Sequence, residues 1–235
     1  MSLRLHAVVR ATHRLPEDSP FRLVEVEGLA VVVSEVESGR APTEQEATTS
    51  LAGLCALVPT GPVLPLRIGT AAPDEPSARA AALALTVPVL QGHLDRLDGL
   101  AEMHVHLVFD EEVALREVYD EVALTSRNTD MAAIVAQGEQ IARKIVAWRR
   151  VQADALLAPV TALAREVALI DASGHTEERR AFLVPLEQVE DVRAAVSAVE
   201  SVTATCVGPL PAFHFLGPAT PLARQDSRPT SRWGW

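Results

Sequence analysis

Histidines, paired carboxylates and two cysteines are the groups in this 235-residue chain with chemistry to offer, and their spacing decides what each can do. His104 and His106 stand at i and i+2, so on a strand they share a face, an arrangement able to hold a metal ion. No third or fourth ligand stands at a matching spacing, so the pair reads as solvated strand histidines. His93 and Asp95 resemble an acid–base pair, but residues two apart on a helix do not face each other. His6, His13, His175 and His214 are isolated. Cys206 precedes His214 across a turn, yet a cysteine nucleophile also needs an orienting group and an electropositive pocket. No serine sits in a Gly-x-Ser-x-Gly elbow, and no glycine-rich phosphate loop occurs. Glu111-Glu112 and Glu177-Glu178 read as helix-start and loop charge. Arg149-Arg150 beside Trp148 is a small basic-aromatic spot that helix packing explains as well as partner contact does. The residues thus designate no catalytic, cofactor or metal site.

Composition narrows the partners. The net charge of −10 argues against nucleic acid or an anionic membrane, which would want a basic face. Hydrophobic residues make up 48% but aromatics only 4%, so the core must be built from Ala, Val and Leu. No run approaches the ~18 apolar residues of a membrane span. Met1-Ser2-Leu3-Arg4 leads straight into a strand pattern without a signal peptide. Cys55 and Cys206, far apart and without metal spacing, suit a reducing cytosol.

The elements that must position any site follow from periodicity and punctuation. Leu3 to Val9 alternates as a strand. Arg22 to Glu27 and Leu29 to Glu35 read as two strands meeting near Gly28 in a hairpin or a bulge. Thr43-Glu44-Gln45-Glu46 matches a capping box, predicting a helix from Glu44 to about Val58. Asp74 is an N-cap for a helix from about Pro76 to Leu97, which Pro88 should kink or break. Glu102 to Phe109 alternates as a half-exposed strand with Glu102, His104 and His106 on the solvated face. Asp110 to Val122 reads as a helix, Thr125 to Asp130 as a polar break, and Met131 to Ile170 as helical with an interruption at Pro159. A strand at Arg180 to Val184, a helix to about Glu200, a strand at Ser201 to Val207 and a short strand around Phe213 to Phe215 complete the pattern. The order suits an α+β fold of two domains, 1–109 and 110–216. Residues 217–235, with three prolines and three arginines, read as a disordered or loosely docked tail whose Trp233-Gly234-Trp235 end is a candidate docking peptide.

Between the first two helices lies Gly61 to Glu75, the most distinctive stretch. Val63 to Ile68 reads as a mostly buried strand, and Pro65 places it at a sheet edge or bulge. Arg67 is a guanidinium on an apolar segment: either a partner contact at the sheet edge, or a structural arginine bridging domains or satisfying loop carbonyls. The structural role is the expectation, so Arg67→Ala should destabilise more than Arg67→Lys.

Leu64-Pro65-Leu66-Arg67-Ile68-Gly69-Thr70 before an acidic helix start resembles the signature of the gas vesicle protein F/L family, usually met as Leu-Pro-Leu-Arg-Phe-Gly-Thr. Three further segments match that family in order. Gly28 to Glu35 is similar to its Gly-Leu-Ala-Ala-Val-Val-Ser strand. Leu107-Val108-Phe109-Asp110-Glu111-Glu112 is similar to its strand-to-helix junction. Gly208-Pro209-Leu210-Pro211-Ala212-Phe213-His214-Phe215 is similar to its closing motif, with Leu210 and Phe213 where Trp and Tyr are common. The first strand lacks the usual Tyr and Gly, and the helix after residue 43 lacks the His often found there. The resemblance covers roughly residues 3 to 216. It implies an N-terminal α+β sheet domain and a C-terminal, modified ferredoxin-like domain with long helices. It also implies a role, in the cytoplasm and on the vesicle, of binding the small hydrophobic major shell protein and assisting assembly alongside other accessory proteins. Leu64, Pro65, Leu66, Arg67, Gly69, Thr70, Gly208, Pro209, Pro211 and Phe213 are the motif residues and candidate partner contacts. A ferredoxin-like small-molecule-binding regulator is the alternative of a different class.

Overall fold

The structure, a computed structural model, describes residues 2–37, 41–119 and 131–217. The strands are β1 (Ser2–Arg10), β2 (Arg22–Val26), β3 (Leu29–Val36), β4 (Leu64–Pro65), β5 (Ala71–Ala72), β6 (Leu100–Val108), β7 (Glu166–Ile170), β8 (Glu177–Pro185) and β9 (Thr203–Leu210). The helices are α1 (Glu44–Leu57), α2 (Glu75–Leu83), α3 (Val87–Arg96), α4 (Glu111–Tyr119), α5 (Met131–Leu156), α6 (Ala158–Leu163) and α7 (Val189–Ser197). Helix and sheet are mixed, as the α+β expectation requires. The chain divides into two compact units: 1–103, 183–189 and 208 onward form the first, and 104–182 with 190–207 the second. The grouping is discontinuous, whereas the sequence suggested continuous domains meeting at 109/110. Residues 208–217 join the first unit because side chains there hold them, as described below.

The first unit is built on a sheet in the order β2-β3-β1-β4, with β5 also pairing β1. β1 runs antiparallel to β3 from Ser2 opposite Val36 to Arg10 opposite Leu29, with one irregularity between Leu5 and Ala7. Leu3, Leu5, Ala7, Val8 and Val9 are all buried, as are Val31, Val32 and Val33 facing them across the ladder. This is the small-residue aliphatic core that the scarcity of aromatics demanded. β2 and β3 form the hairpin foreseen at Gly28, and their register runs from Arg22 opposite Val33 to Val26 opposite Leu29. α1 starts with the full capping box: Thr43 Oγ1 accepts from the Glu46 amide at 3.2 Å, and the Thr43 amide donates to Glu46 Oε2 at 2.9 Å. Asp74 caps α2, its carboxylate accepting from the Ser77 amide at 2.8 Å. The helix expected across Pro88 is broken into α2 and α3, with Thr86 at φ 66° in the joint and Pro88 in the first turn of α3.

The second unit contains β7 and the greater parts of β8, β6 and β9, strands whose sheet order is β7-β8-β6-β9. In it α4 and α5 pack through Ala114, Val118 and Ile145, with Leu115, Ile141 and Trp148 around them. The Trp148 ring meets Phe109 edge-on at 5.5 Å between centroids. Two expectations fail here. The helical stretch to Ile170 ends at Leu163, and Glu166–Ile170 is a strand, because its four-residue apolar run fits either period. Phe213 to Phe215 forms no strand; it bends, the Phe213 amide donating to the Pro211 carbonyl at 2.8 Å. The expected end of α4, the polar break at 125–130 and the tail from 218 with its terminal tryptophans lie outside the described residues.

Candidate functional site

Two motif segments of the first unit hold all ten sequence-designated residues, and the structure treats them differently. The first is pinned to β1 at both ends. Leu64 and Pro65 pair with Val8 and Ala7, and the Leu66 amide donates to the His6 carbonyl at 2.8 Å. Past the turn, the Leu5 amide donates to the Thr70 carbonyl at 2.9 Å. The turn is closed by the Thr70 amide and hydroxyl, both donating to the Arg67 carbonyl at 3.1 and 2.7 Å. The strand is thus two residues long rather than the six expected, because Pro65 has no amide to extend the ladder. Leu64, Pro65 and Leu66 are buried, whereas Arg67, Ile68 and Gly69 are exposed, Ile68 at 48%. The expectation of a structural Arg67 is corrected: its guanidinium is exposed and makes no ion pair or hydrogen bond with a described residue.

His6 anchors the base of this turn. Its ring lies between Ser50 Oγ, 2.6 Å from Nδ1, and Ser34 Oγ, 2.8 Å from Nε2, and leans on the Phe21 ring at 4.7 Å. Burial, aided by Arg4, lowers its pKa to about 4, so the imidazole is neutral at pH 7. A neutral ring offers one donor and one acceptor, which two hydroxyls satisfy. The arrangement is a satisfied core histidine between two strands and a helix.

The second segment is buried and latched. Leu210, Pro211, Ala212, Phe215 and Leu216 are buried, and Phe213 is half-buried. Gly208 has φ 146°, and a Cβ on it would stand 2.5 Å from Met103 Sδ and 2.9 Å from the Glu102 carbonyl oxygen. The Gly208–Pro209 bond is cis. Glu102, which alternation had placed on the solvated face of β6, is completely buried. Its carboxylate takes the His214 amide on Oε2 at 2.9 Å and lies 2.6 Å from His214 Nδ1 on Oε1. Arg96 reaches the carbonyls of Phe215 and Gly217, the latter at 3.2 Å. Sequence reasoning missed this latch. The available signal was an acidic residue, Glu102, within the largely apolar strand β6, together with a histidine inside a proline-rich apolar segment.

The remaining candidates stand apart. Asp95 bonds Arg10 at 2.8 Å rather than His93. Burial pushes the Cys206 and Cys55 thiols up, away from the thiolate a nucleophile requires. In the second unit His106 Nε2 stands 3.5 Å from Glu177, and no metal-type cluster there includes it among the described residues. Arg149 is buried, paired with Glu178 at 2.9 Å and donating to the carbonyls of Gly174 and His175 at 3.2 and 3.0 Å. It shapes one wall of a cleft of about 290 Å³ that Arg150, Asp171, His175 and Arg179 also line.

The profile described as gas vesicle synthesis protein GvpL/GvpF matches residues 6–217. The chain belongs to the GvpL/GvpF family. Its fold is that of gas vesicle protein GvpF from Microcystis aeruginosa, with a TM-score of 0.76 at 16% identity over 92% of this chain and 99% of that one. GvpF from Anabaena sp. PCC7120 gives 0.74 at 16% identity over 93% and 99%. No curated protein matches. The four sequence segments that suggested this family all fall within the matched range. No helix among the described residues is long and apolar enough to cross a membrane.

Proposed function

We propose that this member of the GvpL/GvpF family is a non-catalytic assembly or minor structural protein that binds the small hydrophobic major shell protein of gas vesicles, together with other accessory proteins. The observation that supports it most directly is the turn Arg67-Ile68-Gly69, held at both ends by β1 and presenting an exposed guanidinium, without a partner among the described residues, beside an exposed isoleucine. An ordered apolar-cationic tip loses little entropy on docking, and an aliphatic anchor with an Arg beside it is a common centre of contact energy. A subunit with an apolar surface and free strand edges needs such a partner before it assembles. The protein acts in the cytoplasm and at the vesicle.

Co-expression with the major shell protein, followed by affinity capture at moderate salt, tests this. A soluble complex that Ile68→Glu abolishes is the expected result. Shell protein that aggregates with none retained by the parent chain overturns the reading. A second reading, a small-molecule-binding regulator, is favoured by the arginine-lined cleft of the second unit. It predicts a thermal shift with a small anion and no affinity for shell protein.

A further inference from the structure

Among the described strands, the sheet edges carry devices against pairing with a foreign strand, save for one stretch of β9. β2 bears Arg22 and Glu25, and Arg79 Nε donates to the Glu25 carbonyl at 3.0 Å, occupying an edge acceptor. β4 and β5 are two residues each, and β4 includes Pro65. β7 is five residues long and begins with Glu166. β9 differs. It is the terminal strand of its sheet, eight residues long, and reads Thr-Ala-Thr-Cys-Val-Gly-Pro-Leu without a charged side chain. Thr203, Thr205 and Val207 are exposed, Val207 at 58%. Along 203–207 there is no proline, and no backbone bond beyond the sheet's own ladder is made with a described residue. Natural edges are blunted by charge, proline, shortness or cover; 203–207, though only five residues, carries no charge and no proline, and no described residue covers it with a backbone hydrogen bond.

We infer that β9 pairs with β9 of a second copy, antiparallel about a two-fold axis at Thr205. That register sets Thr203 opposite Val207, Ala204 opposite Cys206 and Thr205 opposite itself. The occupant follows from what the edge accepts. The partner strand must be extended, uncharged and free on one side. Among the described strands, β9 alone meets those terms, and a two-fold axis makes it its own complement. Charge points the same way. Two chains of net −10 repel over most of their surfaces, and an edge without carboxylates is where they approach most cheaply. Threonine pairs directly opposite across a ladder are favourable. Five paired residues cover far less than the ~1,200–2,000 Å² of a stable interface, so the dimer is weak and forms with rising concentration.

Sedimentation of the full chain over a concentration series tests this, with Thr205→Lys, Thr205→Val and, on the other edge of the same sheet, Leu169→Lys. Both positions are exposed, and matching melting curves establish that each variant folds. The parent mass should rise from 25.2 kDa toward twice that value. Thr205→Lys, which opposes two ammonium groups on the axis, should weaken association at least about tenfold. Thr205→Val, which keeps the β-branched shape but loses the hydroxyl pair, should associate within about fivefold of the parent, and Leu169→Lys as the parent does. A parent that stays monomeric throughout overturns the inference. So does a dimer insensitive to Thr205→Lys, a dimer lost with Leu169→Lys, or a monomeric parent whose capture of another protein depends on Thr205.

Discussion

The opening motif, Leu64 to Thr70, and the closing motif, Gly208 to Phe215, are equally conspicuous as sequence, but they do opposite things in the first unit. The opening motif spends its apolar residues on being held, then lifts Arg67 and Ile68 into solvent. The closing motif buries Leu210, Pro211, Ala212 and Phe215 and is tied down by Glu102 and Arg96. A distinctive sequence segment is therefore not by itself a contact surface. What separates the two is where their polar groups find partners. His214, Phe215 and Gly217 find partners within the unit, whereas the Arg67 guanidinium has none among the described residues.

If that distinction is right, damage to the closing motif should appear as lost stability. Glu102→Ala should have the largest effect. It strips the His214 amide and ring nitrogen of a fully buried acceptor, and leaving polar groups unsatisfied costs roughly 1–3 kcal/mol each. Denaturant unfolding monitored by circular dichroism reads this directly, and a loss below about 1 kcal/mol would show that the latch holds nothing.

The base of the opening turn gives the next effect, through pH. His6 titrates near its ordinary 6.5 when unfolded but at about 4 when folded, so between those values the unfolded chain binds the extra proton. Stability is therefore full above pH 6.5 and falls as pH drops toward 4, by about 1.4 kcal/mol per unit, or about 3 kcal/mol over the window. The His6→Gln protein should lack that part of the slope. Identical pH–stability curves for the two proteins would exclude His6 as its source.

Gly208→Ala should cost about 2 kcal/mol. The new Cβ meets the Glu102 backbone as well as the flexible Met103 side chain, at a φ that L-residues rarely adopt. A Gly208→Ala protein that melts with the parent would mean that the closing segment is free to shift.

Much of this fold was legible because local rules coincided with the tertiary outcome. Thr43 with Glu46, Asp74, Pro88 and the turn at Gly28 all act within a few residues of themselves, so their roles could be read off. β7 was misread because Glu-Val-Ala-Leu-Ile satisfies both periods and only its place beside β8 decides between them. The latch was invisible because Glu102 and His214 come together only after the chain folds. Alternation along β6 predicted a solvated carboxylate, and burial of the closing segment overrode it. Arg67 was misjudged for a related reason. Apolar neighbours suggested burial, but Pro65 ends the ladder two residues earlier and releases the chain into a turn.

Arg67 therefore supplies the smallest stability effect and the sharpest test of the contrast. An exposed side chain without a described partner should tolerate truncation, so Arg67→Ala and Arg67→Lys should both melt within about 0.5 kcal/mol of the parent. In shell-protein capture the two should diverge. Alanine removes the charge, whereas lysine keeps the charge but not the planar fork, and should retain an intermediate yield. Glu102→Ala should capture shell protein in proportion to the fraction folded and no worse. If Arg67→Ala instead loses several kcal/mol, the guanidinium is structural after all, and the boundary between a held segment and a displayed one has been drawn in the wrong place.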